Sequence, residues 1–79
     1  MKIAILIPCH NEAQAIGTLV EKLRTRMLDV VVVDDGSGDG TGAIAAGKGA
    51  HVITIPERGG KGNAMQIGFK YVVAQGYDA

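Results

Sequence analysis

The chain has 79 residues, 47% hydrophobic and 20% charged, with eight Lys and Arg against eight Asp and Glu. That length allows at most one small domain, which buries roughly 60–65% of the surface its unfolded form exposes. The charge balance excludes the basic footprint of a nucleic-acid module and the excess of an acidic tail, and one Phe, two Tyr and no Trp provide no aromatic platform for bases or sugars.

Ile3–Ile7 is an unbroken apolar run closed by Pro8 and reads as a first strand. It is too short for a secretory signal or a membrane span, and no other apolar run approaches the roughly 18–20 residues a span needs. The single cysteine, Cys9, excludes an internal disulfide. It fits a reducing, cytoplasmic setting, with membrane association left to a longer protein. Residues 12–27 carry a helical stripe of Ile16, Leu19, Val20, Leu23 and Met27, and Asn11 with Gln14 resembles a capping box at its start. Val30–Val33 is a second strand, and the residues from Asp34 to Gly40 have turn chemistry. Asp39 or Thr41 is placed to cap a short Gly- and Ala-rich helix over 42–46. His51–Ile55 is a third strand ended by Pro56, with His51 read as structural. A glycine-rich loop over 57–62 leads into a third helix over 63–75, whose stripe is Ala64, Ile67, Gly68, Tyr71 and Val72.

The pattern is βαβαβα. Continuously apolar strands belong to a parallel sheet covered by helices on both faces, and right-handed crossovers order the strands 3-2-1. The expectation is a three-layer, Rossmann-like α/β fold in a single unit over 1–79. Ending at Gly76-Tyr77-Asp78-Ala79, it is expected to stop before a fourth strand that would pair with the first. An open apolar edge of that kind recruits another chain, so a homo-oligomer through the strand 1 edge is also expected.

In open α/β sheets ligands bind beyond the carboxyl ends of the strands. Those ends carry Pro8-Cys9-His10-Asn11-Glu12, Asp34-Asp35-Gly36-Ser37, and Arg58-Gly59-Gly60-Lys61-Gly62-Asn63 after Pro56. Three polar clusters on one rim are the main sign of a functional site. Asp34 and Asp35 either cap the turn that follows or accept hydrogen bonds from a base or ribose, and the pattern leaves both open. Lys61, in a glycine-rich turn before a helix, suits a phosphate or is a solvated loop lysine; Arg58 has the same two readings, tilted to the second. His10 is a stacking or ligand candidate or a polar loop residue. Glu12 accepts from a nucleobase or favours the positive end of the first helix. Cys9 reads as a small filler.

Several motifs fail. Asp35, Ser37 and Asp39 have calcium-loop spacing with Gly40 sixth, but Ala46 stands where the bidentate Glu is needed. For a P-loop, Ile55 stands where the first glycine belongs and no Ser or Thr follows Lys61. No G-x-G-x-x-G follows the first strand, and no nucleophile–base pair or metal set is evident.

Taken in order, IPCHNEA, VVVDDGSGDGT and GGKGNAMQIGF resemble the N-terminal part of family 2 glycosyltransferases of the GT-A fold, nearest the dolichyl-phosphate-mannose-synthase-like branch. The resemblance implies a UDP- or GDP-sugar donor and inverting transfer of its sugar to an acceptor such as a polyprenyl phosphate. It implies a nucleobase pocket lined by Pro8, His10 and Glu12, a base- or ribose-binding aspartate at Asp35 with Asp34 and Gly36 beside it, and Lys61 near the nucleotide. In such enzymes a D-x-D motif after the fourth strand holds Mg²⁺ or Mn²⁺, and a later acidic residue is the base. Neither is present here, so the 79-residue chain alone is expected not to catalyse transfer. The rival expectation is a non-catalytic nucleotide-binding or self-assembling α/β module. A Rossmann-type dehydrogenase fragment is disfavoured by the missing glycine fingerprint.

Overall fold

The computed structural model describes residues 4–56 and 59–77. Arg58, named above as a phosphate candidate, lies outside the described residues, as does the side chain of Lys61. The elements run β1 (Ala4–Cys9), α1 (Ala13–Thr25), β2 (Asp29–Asp35), α2 (Thr41–Gly47), β3 (His51–Ile55) and α3 (Lys61–Ala74). The three strands are parallel in the order β1-β2-β3, as expected. Ile5 stands opposite Val30 and Val32 opposite Val52.

β2 is central, and its composition shows why. Val30, Val31, Val32 and Val33 are each no more than 3% exposed, since side chains alternate between two covered faces. Val30 and Val32 pack with Cys9, Ile16, Val20 and Ala45, so α1 and α2 cover one face. The other face takes α3. Its Gly68 lies so close to the sheet that an added Cβ would stand 2.5 Å from Leu6 Cδ1 and 2.8 Å from Val33 Cγ2. The α3 stripe is as expected: Ala64, Gly68 and Val72 are buried, and Ile67 and Tyr71 half-buried.

Four local expectations are corrected. β1 does not stop at Ile7 but runs through Pro8 to Cys9, with Pro8 opposite Val33. A proline is tolerated because β1 is an edge strand, where a missing donor need not break a ladder. β2 runs beyond Val33 to take in Asp34 and Asp35, which are buried strand residues rather than turn residues. Met27 is not part of the α1 stripe. Its φ is +60° and it is 92% exposed, because it ends the helix in the left-handed conformation of a C-terminal cap, with its N–H on the Arg24 carbonyl. Leu19, also assigned to that stripe, is 42% exposed.

At the amino ends of the strands, Arg24 lies 3.5 Å from Asp29, Tyr77 donates to Asp29 at 3.1 Å, and His51 stacks on Tyr71 at 4.8 Å between ring centroids. His51 thus has a packing role, as the sequence suggested. No helix among the described residues is long and apolar enough to cross a membrane.

Candidate functional site

The three polar clusters do converge at the carboxyl ends of the strands, and they are bonded to one another. The two adjacent aspartates ending β2 point to opposite faces, as consecutive strand residues must. Asp34 turns toward α2. Its Oδ1 accepts the Ser37 N–H at 3.2 Å, and its Oδ2 lies where a Cβ on Gly42 would approach within 2.6 Å. The glycine at 42 is therefore the space that this carboxylate occupies. Asp35 turns toward α3. Its Oδ1 accepts the Gly59 N–H at 2.8 Å and its Oδ2 the Gly60 N–H at 2.9 Å.

That division answers the problem of two like charges at the end of a buried strand. The carboxylates leave the sheet in opposite directions, and each meets backbone donors. Asp34 and Asp35 are only 6% and 3% exposed, a position an ion tolerates only with such partners. Among the described residues no buried side-chain nitrogen or oxygen lacks a partner. A carboxylate has about four lone-pair sites, so Asp35 retains acceptor capacity beyond its two amides.

The segment after β1 is built against the segment after β2. The Asp35 carbonyl oxygen accepts from His10 Nδ1 at 2.6 Å, so that nitrogen carries the proton. His10 Nε2 accepts from the Asn11 amide at 3.1 Å. Asn11 has φ +53°, and its Oδ1 accepts the Gly38 N–H at 2.9 Å. The expected capping box of Asn11 and Gln14 is absent. The N-cap of α1 is Glu12, with no side-chain cap hydrogen bond, because the Asn11 side chain is engaged with Gly38 and His10. Instead the amides of Asn11, Glu12 and Ala13 donate to Ser37 Oγ at 2.8 Å, Thr41 Oγ1 at 2.9 Å and Asp39 Oδ2 at 3.1 Å.

Asp39 Oδ1 also accepts from both the N–H and the hydroxyl of Thr41. The expectation that Asp39 caps α2 holds in that sense, but Gly40 is the N-cap residue there. The Thr41 hydroxyl, above all, holds the Asp39 carboxyl below its usual range, and the Ala13 and Thr41 amides add to the effect against some desolvation. Gly36 closes the rim, donating to the Ile55 carbonyl at 2.9 Å.

Pro8 is half-buried within β1, while Glu12 is exposed and its carboxylate has no partner among the described residues. Cys9 is buried and in no disulfide. Burial first, then the nearby carboxylates of Asp34, Glu12 and Asp39, push its thiol up to about 11. Sequence reasoning missed Ser37, Asp39 and Thr41 as partners of the first helix. Their residue types were visible, but the bonds span 26 to 29 positions. Among the described residues no group of three or more His, Cys, Asp or Glu is placed to hold a metal ion.

A family model described as glycosyl transferase family 2 matches residues 4–77. The chain belongs to glycosyl transferase family 2. The match takes in all three rim segments and every element described above. Within the family, the chain is 35% identical over 85 residues to the undecaprenyl-phosphate mannosyltransferase of Micrococcus luteus, covering 99% of this chain and 35% of that protein. It is 32% identical over 81 residues to the polyprenol monophosphomannose synthase of Mycolicibacterium smegmatis, covering 92% of this chain and 31% of that protein.

Among solved structures it resembles glucosyl-3-phosphoglycerate synthase from Mycobacterium tuberculosis. That enzyme has been solved with Mg²⁺ and UDP, and with Mn²⁺, UDP-glucose and phosphoglyceric acid. The TM-score is 0.76 and the identity 27%, covering 98% of this chain and 30% of that one. These structural neighbours are GT-A glycosyltransferases, so the α/β sheet described here is that fold's N-terminal part. The chain spans about a third of the length of each of these three proteins.

Proposed function

We propose that this chain is the nucleotide-binding part of an inverting glycosyltransferase, whose complete form passes a sugar from a UDP- or GDP-sugar to an acceptor such as a polyprenyl phosphate. One observation carries the reading: three polar segments from three strands meet on one rim and are fixed there by mutual hydrogen bonds. This is where open parallel sheets receive nucleotides. The family membership, the polyprenyl-phosphate acceptors named for two relatives, and the UDP in a structural neighbour support it.

In this reading Pro8, His10 and Glu12 line the nucleobase pocket. Glu12 offers an exposed carboxylate, and His10 a ring set by Asp35 and Asn11. Asp34, Asp35 and Gly36 lie beside the base or ribose, with the spare lone pairs of Asp35 available to a nucleoside N–H or hydroxyl. Lys61 approaches the phosphates at the start of α3. Mg²⁺ or Mn²⁺ serves the complete enzyme, as the neighbour's complexes suggest. The described residues do not supply its donor set, since no three His, Cys, Asp or Glu side chains among them are grouped to hold a metal ion. The chain alone therefore binds nucleotide without transferring sugar, and sugar transfer by the purified 79-residue chain would refute that. The free thiol at Cys9 suits a cytoplasmic setting.

Titrating UDP and GDP while following thermal unfolding tests the reading. Binding to the folded chain raises the midpoint with the logarithm of nucleotide concentration once that exceeds Kd, and Asp35→Ala reduces the rise. No shift at millimolar nucleotide would remove the reading.

A second reading rests on β1, whose outer edge has no paired strand among the described residues. Such an edge pairs with another copy of the chain, giving a self-assembling module and a homo-oligomer. Mass in solution across a concentration series checks this, and a monomer at every concentration would refute it.

A further inference from the structure

The first N–H groups of a helix have no partner within it and must find one elsewhere. The start of α1 draws partners from the segment that follows β2 and from the first residue of α2. Its N-cap, Glu12, contributes no side-chain hydrogen bond. The neighbouring Asn11, a residue type suited to capping, is instead held at φ +53° with its side chain on Gly38 and His10. Three consecutive amides, of Asn11, Glu12 and Ala13, are received by Ser37, Thr41 and Asp39.

The members differ in depth. Thr41 is fully buried, and its hydroxyl both accepts from the Glu12 N–H and donates to Asp39. Asp39 is exposed. Its two oxygens bridge the two helices, with Oδ2 on the Ala13 amide of α1 and Oδ1 on Thr41, the first residue of α2. A negative carboxylate also suits the positive end of α1. The Glu12 and Ala13 amides are held by Thr41 and Asp39, while the residues just before them are held by Ser37, Gly38 and the Asp35 carbonyl. The Glu12 carbonyl already accepts from the amides of Ala15 and Ile16, so any movement of Glu12 moves that turn.

We infer that Thr41 and Asp39 are positioning residues for nucleotide binding: through the amides of Glu12 and Ala13 they hold the His10–Glu12 segment in the geometry that receives the nucleoside. The inference rests on the nucleotide-binding reading above. Neither residue need touch the nucleotide. Thr41 is enclosed, and Asp39 acts through the amides it accepts. The pair ties two of the three rim segments into one unit, so that the Asp35 carbonyl and the His10 ring keep their 2.6 Å contact.

The test uses the 79-residue chain with Thr41→Val, Thr41→Ser and Asp39→Ala. Valine fills the same space as threonine but leaves the Glu12 N–H without its acceptor, whereas serine keeps the hydroxyl. UDP and GDP affinities are measured by calorimetry well below each variant's unfolding midpoint, so that only folded molecules are counted. Ring ¹⁵N spectra of His10 are recorded in parallel, with His51 assigned from its own substitution. Losing one such hydrogen bond is expected to weaken nucleotide binding about fivefold to tenfold in Thr41→Val. Asp39→Ala is expected to act in the same direction, and Thr41→Ser to stay within about twofold of the parent. In Thr41→Val the His10 ring should also lose its fixed Nδ1–H form. A purely structural role would lower the midpoint but leave the affinity of folded molecules and the His10 ring unchanged, which would overturn the inference while leaving the nucleotide reading intact. If the parent chain binds neither nucleotide, both fall together. If Thr41→Val does not fold, the exposed Asp39→Ala decides: unchanged affinity there overturns the inference, and a loss supports it.

Discussion

Asp35 holds Gly60 across 25 residues of sequence, its Oδ2 accepting the Gly60 N–H at 2.9 Å, while Oδ1 takes the adjacent Gly59 N–H. Gly60 makes this contact at φ 90° and ψ 162°, a backbone region open to almost nothing but glycine. The carboxylate thus fixes the loop that starts α3, and the loop satisfies the carboxylate. Asp35→Ala, which leaves those amides without acceptors, is expected to cost about 1–3 kcal/mol. Gly60→Ala is expected to cost a similar amount through backbone strain, about 1–3 kcal/mol. Urea midpoints measure both losses, and faster amide exchange at Gly59 and Gly60 in Asp35→Ala would locate the first.

Gly68 reports how closely α3 lies on the sheet. A methyl group there meets Leu6 and Val33 at 2.5 and 2.8 Å. Leu6 can rotate away, but Val33 is β-branched and fully buried. Gly68→Ala should therefore destabilise by about 1–3 kcal/mol through overpacking, despite the better helix propensity of alanine. A higher unfolding midpoint in this variant would show that the helix has room to move.

The sheet was legible because β2 declares itself. Four consecutive valines make sense only in a strand covered on both faces, and the pattern fixed the order of all three strands. Its end was misplaced because Asp34 and Asp35 carry turn-forming side chains; what keeps them in the strand is a set of backbone donors, two of them 24 and 25 residues away. The same reason defeated the capping box. Asn11 and Gln14 have the right local spacing, but the Asn11 side chain finds Gly38, and α1 finds Ser37, Thr41 and Asp39. Local spacing cannot anticipate a competitor that only the fold brings near. The rim itself was legible, since parallel topology places the residues after every strand at one end.

Cys9 should be unreactive in the native state. With its thiol raised to about 11 by burial and nearby carboxylates, its thiolate fraction at pH 8 is about a hundredfold below that of an ordinary thiol of pKa near 9. Alkylation of the folded chain should be much slower than that of the urea-unfolded chain, through the smaller thiolate fraction and burial of the sulfur. The linkage has a definite sign. The folded value lies above the unfolded one, so this stabilising contribution is complete below about pH 9 and is lost as pH rises through about 11. Cys9→Ala should flatten the alkaline fall in stability.

Asp39 has the opposite sign. Its carboxyl is held below the usual range, first by Thr41. Its contribution is therefore present above the unfolded carboxylate value, near pH 4, and is lost as pH falls through the lower folded value. The difference in unfolding midpoint between the parent chain and Asp39→Asn should be constant from about pH 5 to 7 and narrow below about pH 4. A difference that widens on acidification would contradict the hydrogen-bonding seen for this carboxylate.

The nucleotide-binding claim is tested most directly by amide chemical-shift mapping during a UDP and a GDP titration of the ¹⁵N-labelled chain. Saturable shifts are expected at residues 10–12, 35–37 and 59–62, the three segments that meet on the rim, with the opposite end of the sheet around Asp29, Gly49 and His51 unmoved. Shifts centred on that opposite end, or none anywhere at millimolar concentrations of either nucleotide, would contradict it.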